Sequence, residues 1–134
     1  MRRTLLLAGV TTLLAVGAMA QSDSDYQSWM KMMGPSMQGM NKDIAAKDGA
    51  AVAADAQKLQ GIFKQVEDFW QKRGGADDAV TFAKKAQTSA GAVAAAATAG
   101  NFDMAAAEVK NVQANCGGCH MAHREKVGDT FKIK

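Results

Sequence analysis

Apolar residues return along this chain at alternating steps of three and four. Tyr26, Met30, Met33, Met37, Met40 and Ile44 do so over residues 24–46. Val52, Ala56, Leu59, Phe63, Val66 and Trp70 repeat the pattern over 50–73. Phe82, Ala86, Ser89, Val93 and Ala96 give a third run over 77–99, built from small residues. Val109, Val112, Cys116 and Cys119 mark a fourth, starting at Asn101 or Asp103 and ending near Val127. Such steps place one apolar face on an α-helix, so the pattern predicts four helices and no strand. Gly74-Gly75, Gly100 and Gly128 stand where helices stop, and Asp77-Asp78 suits a helix start. Joints of a few residues make neighbouring helices antiparallel. The expected fold is all-α, an up-down-up-down antiparallel four-helix bundle. Residues 129–134 read as a frayed basic tail. Pro35 interrupts the first helix, where it removes a hydrogen bond to the Lys31 carbonyl, and one continuous helix with a kink there is expected.

Leucine is unevenly spent: five of the six lie in the first fourteen residues. There, Arg2 and Arg3 precede an apolar run over 4–17, and Ala18-Met19-Ala20 gives a small-x-small end. That is the form of a secretory signal peptide over 1–20, cleaved before Gln21, and the run is too short to span a membrane. The expected location is the periplasm. The remaining 21–134 carries fourteen basic and thirteen acidic residues, a net +1. Such a balance argues for neither nucleic acid nor a membrane surface as partner. With one Leu and three Ile, this domain has a core thin in large aliphatics and rich in Ala. A bound cofactor would fill it.

The motif that carries chemistry is Cys116-Gly117-Gly118-Cys119-His120, which uses both cysteines of the chain. C-x-x-C-H is the c-type haem attachment pattern. Two thiols on one helical turn can each form a thioether to a haem vinyl group, and the next residue sets its imidazole under the iron. The two glycines let the macrocycle lie close to the backbone. A thioredoxin-like pair would need a βαβ setting, and a zinc site would have only His123 to add to one short stretch.

A C-x-x-C-H motif on the last helix of an exported four-helix bundle resembles the class II cytochromes c, the cytochrome c′ family, over the whole of 21–134. Met30-Lys31-x-x-Gly34-x-x-Met37 and Arg124, four residues after His120, are further similar features. The chain departs from that family at His123, where Tyr is common, and at Pro35. The resemblance implies one covalent haem c, with Met30 on the distal side. It also implies a homodimer through the first two helices.

Helix depths point to the same residues. His120 is seven residues before Val127 and Met30 six after Ser24, so each lies about 9–10 Å from the shared bundle end at ~1.5 Å per residue. Tyr26, Trp29, Met33, Phe69, Trp70 and Phe82 gather at that end, while the opposite end is alanine. Met30 is the candidate sixth ligand, and Met33 a pocket residue. Met32, Met37 and Met40 are core filling. His123 shares a helix face with His120 and cannot reach the far side of the iron, so it reads as a partly exposed edge residue. Arg124 either pairs with a haem propionate or is solvated. Lys126, Lys132 and Lys134 read as a soluble tail.

The function expected is one-electron transfer between periplasmic redox partners through a haem held by Cys116, Cys119 and His120. The alternative is a high-spin haem protein that binds nitric oxide or carbon monoxide as a small gas ligand at an open distal site. No Ser/His/Asp set, inward carboxylate pair or phosphate loop suggests an enzyme.

Overall fold

Ser22 opens the first helix. Its hydroxyl accepts from the Asp25 N–H, and the Asp25 carboxylate accepts the Ser22 N–H at 2.8 Å, a complete capping box. The computed structural model describes residues 21–134, and the expected signal peptide at 1–20 lies outside them. Four helices follow: α1 (Asp23–Ala46), α2 (Gly49–Arg73), α3 (Asp77–Thr98) and α4 (Phe102–His123). Asp48 caps α2 through the Ala51 N–H, and Asn101 caps α4 through the Met104 N–H, both at 3.0 Å. Asp77 and Asp78 sit in the first turn of α3, where the helix dipole favours them.

The four helices run antiparallel to their neighbours. Arg73 at the end of α2 pairs with Asp23 at the start of α1 at 2.8 Å. His123 at the end of α4 meets Asp78 at the start of α3, also at 2.8 Å. The helices pack in the cycle α1–α2–α3–α4, with α2 and α3 most intimate and α1 and α4 least. Among the described residues no helix is long and apolar enough to cross a membrane.

The expected helical seams hold for α2, where Val52, Ala56, Leu59, Phe63, Val66 and Trp70 are all buried. In α1 the buried face is turned from the expected one. It carries Tyr26, Trp29, Met33, Ser36 and Met40, while Met30, Met37 and Ile44 pack only partly buried beside it. The indole of Trp29 takes the interior place, which leaves Met30 on the flank towards α4. Met32 is 41% exposed and is not core filling. In α3 the interior stripe is Ala79, Ala83, Ala86, Ala90 and Val93, with Phe82 and Ser89 partly buried.

Pro35 does not break α1, which is one helix from Asp23 to Ala46. Pro35 and Lys31 are both exposed, so water reaches the turn that loses its hydrogen bond.

Past His123 the expectation fails. α4 ends four residues earlier than Val127, and residues 124–133 form an antiparallel hairpin of β1 (Arg124–Val127) and β2 (Thr130–Ile133). Gly128 (φ 60°) supplies the positive φ that a two-residue hairpin turn needs. The expected frayed tail is therefore ordered. Ile133 is tucked partly against the core, and the Lys134 N–H donates to the His123 carbonyl at 3.1 Å.

Candidate functional site

The Cys116–His120 motif occupies the last two turns of α4, at the end of the bundle where the aromatic residues gather. Tyr26, Trp29, Phe69 and Trp70 stack there with ring centroids 4.8 to 6.5 Å apart. Arg73 lies over Phe69 and Trp70 at 5.6 and 5.9 Å. His123 closes the group, its ring 4.9 Å from that of Trp70 while its Nε2 holds Asp78. This histidine is thus a structural tie between α4 and α3. The Trp70 indole N–H is buried without a partner.

Between α1 and α4 a cleft of about 800 Å³ opens beside this cluster. Its walls are Tyr26 and Met30 from α1, Cys119, His120 and His123 from α4, and Phe131 and Ile133 from the hairpin. Its charged lining is Lys31, Arg124 and Lys132 with Asp23 and Asp129. The volume lies in the range of small-molecule and cofactor sites. A second, inner gap of only about 20 Å³ lies deeper, bordered by Met30, Met33, Phe63, Phe82, Cys116, Cys119 and His120. It is no larger than the space of about one water molecule. Met30 and His120 therefore border both spaces, and Cys116 borders only the inner one. The residue count behind the expected depth match does not hold, because His120 is three residues from the true end of α4 and not seven, yet the two side chains border the same spaces.

Phe82 explains why the inner gap is small. Its ring lies on the backbone of Gly118, so close that a Cβ there would meet Cε1 at 2.6 Å. The absent side chain of Gly118 is filled by this ring. A Cβ on Gly117 would meet nothing within 4 Å, so the chain beside it is open. Phe69 and Trp70 back the cluster and border neither space.

The electrostatics of the site follow from burial. Both cysteines are free thiols, and desolvation pushes each up to about 11. Burial, with Cys119 close by, pushes the Tyr26 phenol up to about 12, so it stays a proton donor. His120 is held below the ordinary imidazole range by burial first and by the Arg124 charge second. It is therefore a neutral imidazole at neutral pH, the form that offers a lone pair to a metal. Among the described residues no three His, Cys, Asp or Glu side chains converge as a metal-holding cluster.

The residues present fit a flat, amphiphilic cofactor with carboxylate arms. Two thiols and a neutral imidazole share one helical face, Cys119 and His120 open onto the cleft, and Lys31, Arg124 and Lys132 stand along it with the carboxylates of Asp23 and Asp129. Sequence reasoning missed Phe131 and Ile133, which border the cleft only because 124–133 folds back. The Gly128-Asp129 pair between Arg124–Val127 and Thr130–Ile133 was the available signal for that turn. No protein-family model matches the chain, and a search of curated proteins finds no match.

Proposed function

We propose that the chain is a c-type haem protein of the class II cytochrome kind, exported to the periplasm, that transfers one electron at a time between redox partners. One observation carries the reading: Cys119 and His120 open onto the α1–α4 cleft with Met30 on its facing wall, and Cys116 is one turn behind. Cys116 and Cys119 would hold the group by adding S–H across its two vinyl bonds, which needs no oxidant. Bound there, haem c supplies reversible one-electron chemistry at iron. His120 would offer the iron its neutral imidazole, and Met30 its thioether. Met33, Phe82 and Tyr26 keep water from the inner side, with Phe69 and Trp70 packed behind Tyr26. Arg124, which lines the cleft, would pair with a carboxylate arm.

For the cofactor to reach Cys116 as well as Cys119, the Phe82 ring must leave Gly118. The dimer through α1 and α2 belongs to the same proposal, with exposed Met32 on α1.

The test is the visible spectrum of the purified, exported protein, ferric and reduced, with and without carbon monoxide. Sharp split bands on reduction, a Met–iron charge-transfer band when oxidised and no response to carbon monoxide are expected for Met30 ligation. A broad high-spin spectrum that shifts with carbon monoxide would replace electron transfer with gas binding. No haem absorbance, from a host with working attachment machinery, would refute both.

A further inference from the structure

The hairpin borders the cleft, and its charge is not free to wander. Arg124 and Phe131 lie on the same face of the two strands, one diagonal step apart in a register that pairs Arg124 with Ile133 and Lys126 with Phe131. The Arg124 guanidinium carbon sits 4.0 Å from the centre of the Phe131 ring. That is cation–π stacking, which holds a planar guanidinium by its face. Three further contacts keep the strands in place. The Lys134 N–H donates to the His123 carbonyl, the Lys134 ammonium donates to the Met121 carbonyl at 3.0 Å, and Ile133 packs partly against the core. Arg124 and Phe131 both line the cleft with His120 and Met30.

We infer that Phe131 is a positioning residue of the redox site, which holds the Arg124 cation over the cleft beside His120 and so favours the reduced state of the occupant. The inference rests on the haem reading above. An exposed arginine on a strand otherwise spends its time in water, where its charge is screened. Stacked on Phe131, it stays near the iron ligand. A fixed positive charge disfavours the extra positive charge of the oxidised metal, so it raises the reduction potential. Guanidinium does not titrate in the accessible pH range, so the effect is constant across pH.

The test is redox titration of the haem-loaded protein at low and high salt, in four variants: Arg124→Met, Phe131→Leu, Phe131→Tyr and the Arg124→Met/Phe131→Leu double. Arg124→Met and Phe131→Leu should both lower the potential, more at low salt than at high. The double variant should fall no further than Arg124→Met alone, and Phe131→Tyr, which keeps an aromatic face, should match the parent. An unchanged Phe131→Leu beside a lowered Arg124→Met would overturn the inference, as would an unchanged Arg124→Met. A second arm needs no haem. Nitrogen-15 relaxation at Arg124 Nε in the cofactor-free chain should show an ordered guanidinium in the parent and in Phe131→Tyr, and a mobile one in Phe131→Leu. Equal mobility in all three would refute the positioning role. Failure to take up haem would instead refute the haem reading, and leaves this arm to decide whether Phe131 holds Arg124.

Discussion

The two ends of the bundle are built from different material. At one end Tyr26, Trp29, Phe69 and Trp70 interlock, and α1 and α4 stand apart around a cleft. At the other, Val52, Ala56, Ala94, Ala96, Ala97 and Ala105 are buried, and a Cβ added to Gly49 would meet the Ala97 carbonyl at 2.7 Å. Small side chains let helix backbones approach, and large ones hold them apart. The chain therefore closes one end tightly and leaves the other with room for a guest. Every group whose burial displaces its proton affinity most, Tyr26, Cys116, Cys119 and His120, belongs to the open end.

The largest effect should come from dismantling the aromatic end. Trp70→Ala removes a side chain that is 2% exposed and should cost about 3–5 kcal/mol in a urea unfolding measurement. Overfilling the alanine end should cost less. Ala105→Leu, at a position with 0% exposure, forces helices apart for about 1–3 kcal/mol. An Ala105→Leu variant as stable as the parent would mean the alanine end is loosely packed, and the contrast would collapse.

The two motif glycines sharpen the comparison within α4. Gly118→Ala drives a methyl into Phe82 and should destabilise the cofactor-free chain by about 1–3 kcal/mol. Gly117→Ala meets open space and should stabilise it by up to about 1 kcal/mol through helix propensity. If both behave alike, the Phe82 contact is not the reason Gly118 lacks a side chain.

Acid and alkali should act on the open end from opposite sides. Folded His120 binds its proton less readily than the unfolded chain, so stability without cofactor should fall as pH drops below the ordinary 6.5. The thiols work the other way. The unfolded chain ionises near 9.0 and the folded one near 11, so stability is intact below pH 9.0 and is lost as pH rises to about 11. The part of the alkaline loss that begins near pH 9.0 should vanish in Cys116→Ser/Cys119→Ser, measured as urea midpoints across pH, which leaves the later loss above pH 10 from the Tyr26 phenol, pushed up to about 12. The smallest effect is expected at the exposed Asp23–Arg73 pair, where Asp23→Asn should change stability by less than about 1 kcal/mol.

The helices were legible because period and punctuation agreed. Asn101 and the glycine joints fall where the pattern changes phase, and α2 buries the face its spacing predicts. The α1 face was less legible because two apolar stripes overlap there. Met30, Met37 and Ile44 compete with Trp29 and Ser36, and only packing against α2 and α4 selects between them. The hairpin was hidden for a different reason. A four-residue strand is too short for its alternation to outweigh the charges at Arg124, Glu125, Lys126 and Lys132. The motif of the candidate site could be read directly, since C-x-x-C-H is local in sequence. Its walls could not, because Phe131 reaches the cleft through a fold-back that no spacing on α4 encodes.

Both tryptophans of the chain, Trp29 and Trp70, lie in the aromatic cluster, and the alanine end has none. The protein's intrinsic fluorescence is therefore a one-ended signal, whereas its far-ultraviolet circular dichroism averages over the full length of all four helices. A thermal melt followed by both would separate a molecule that unravels from the cleft inwards from one that gives way all at once. Iron porphyrin in the cleft would quench that emission, so cofactor loading could be followed in a cuvette without any label.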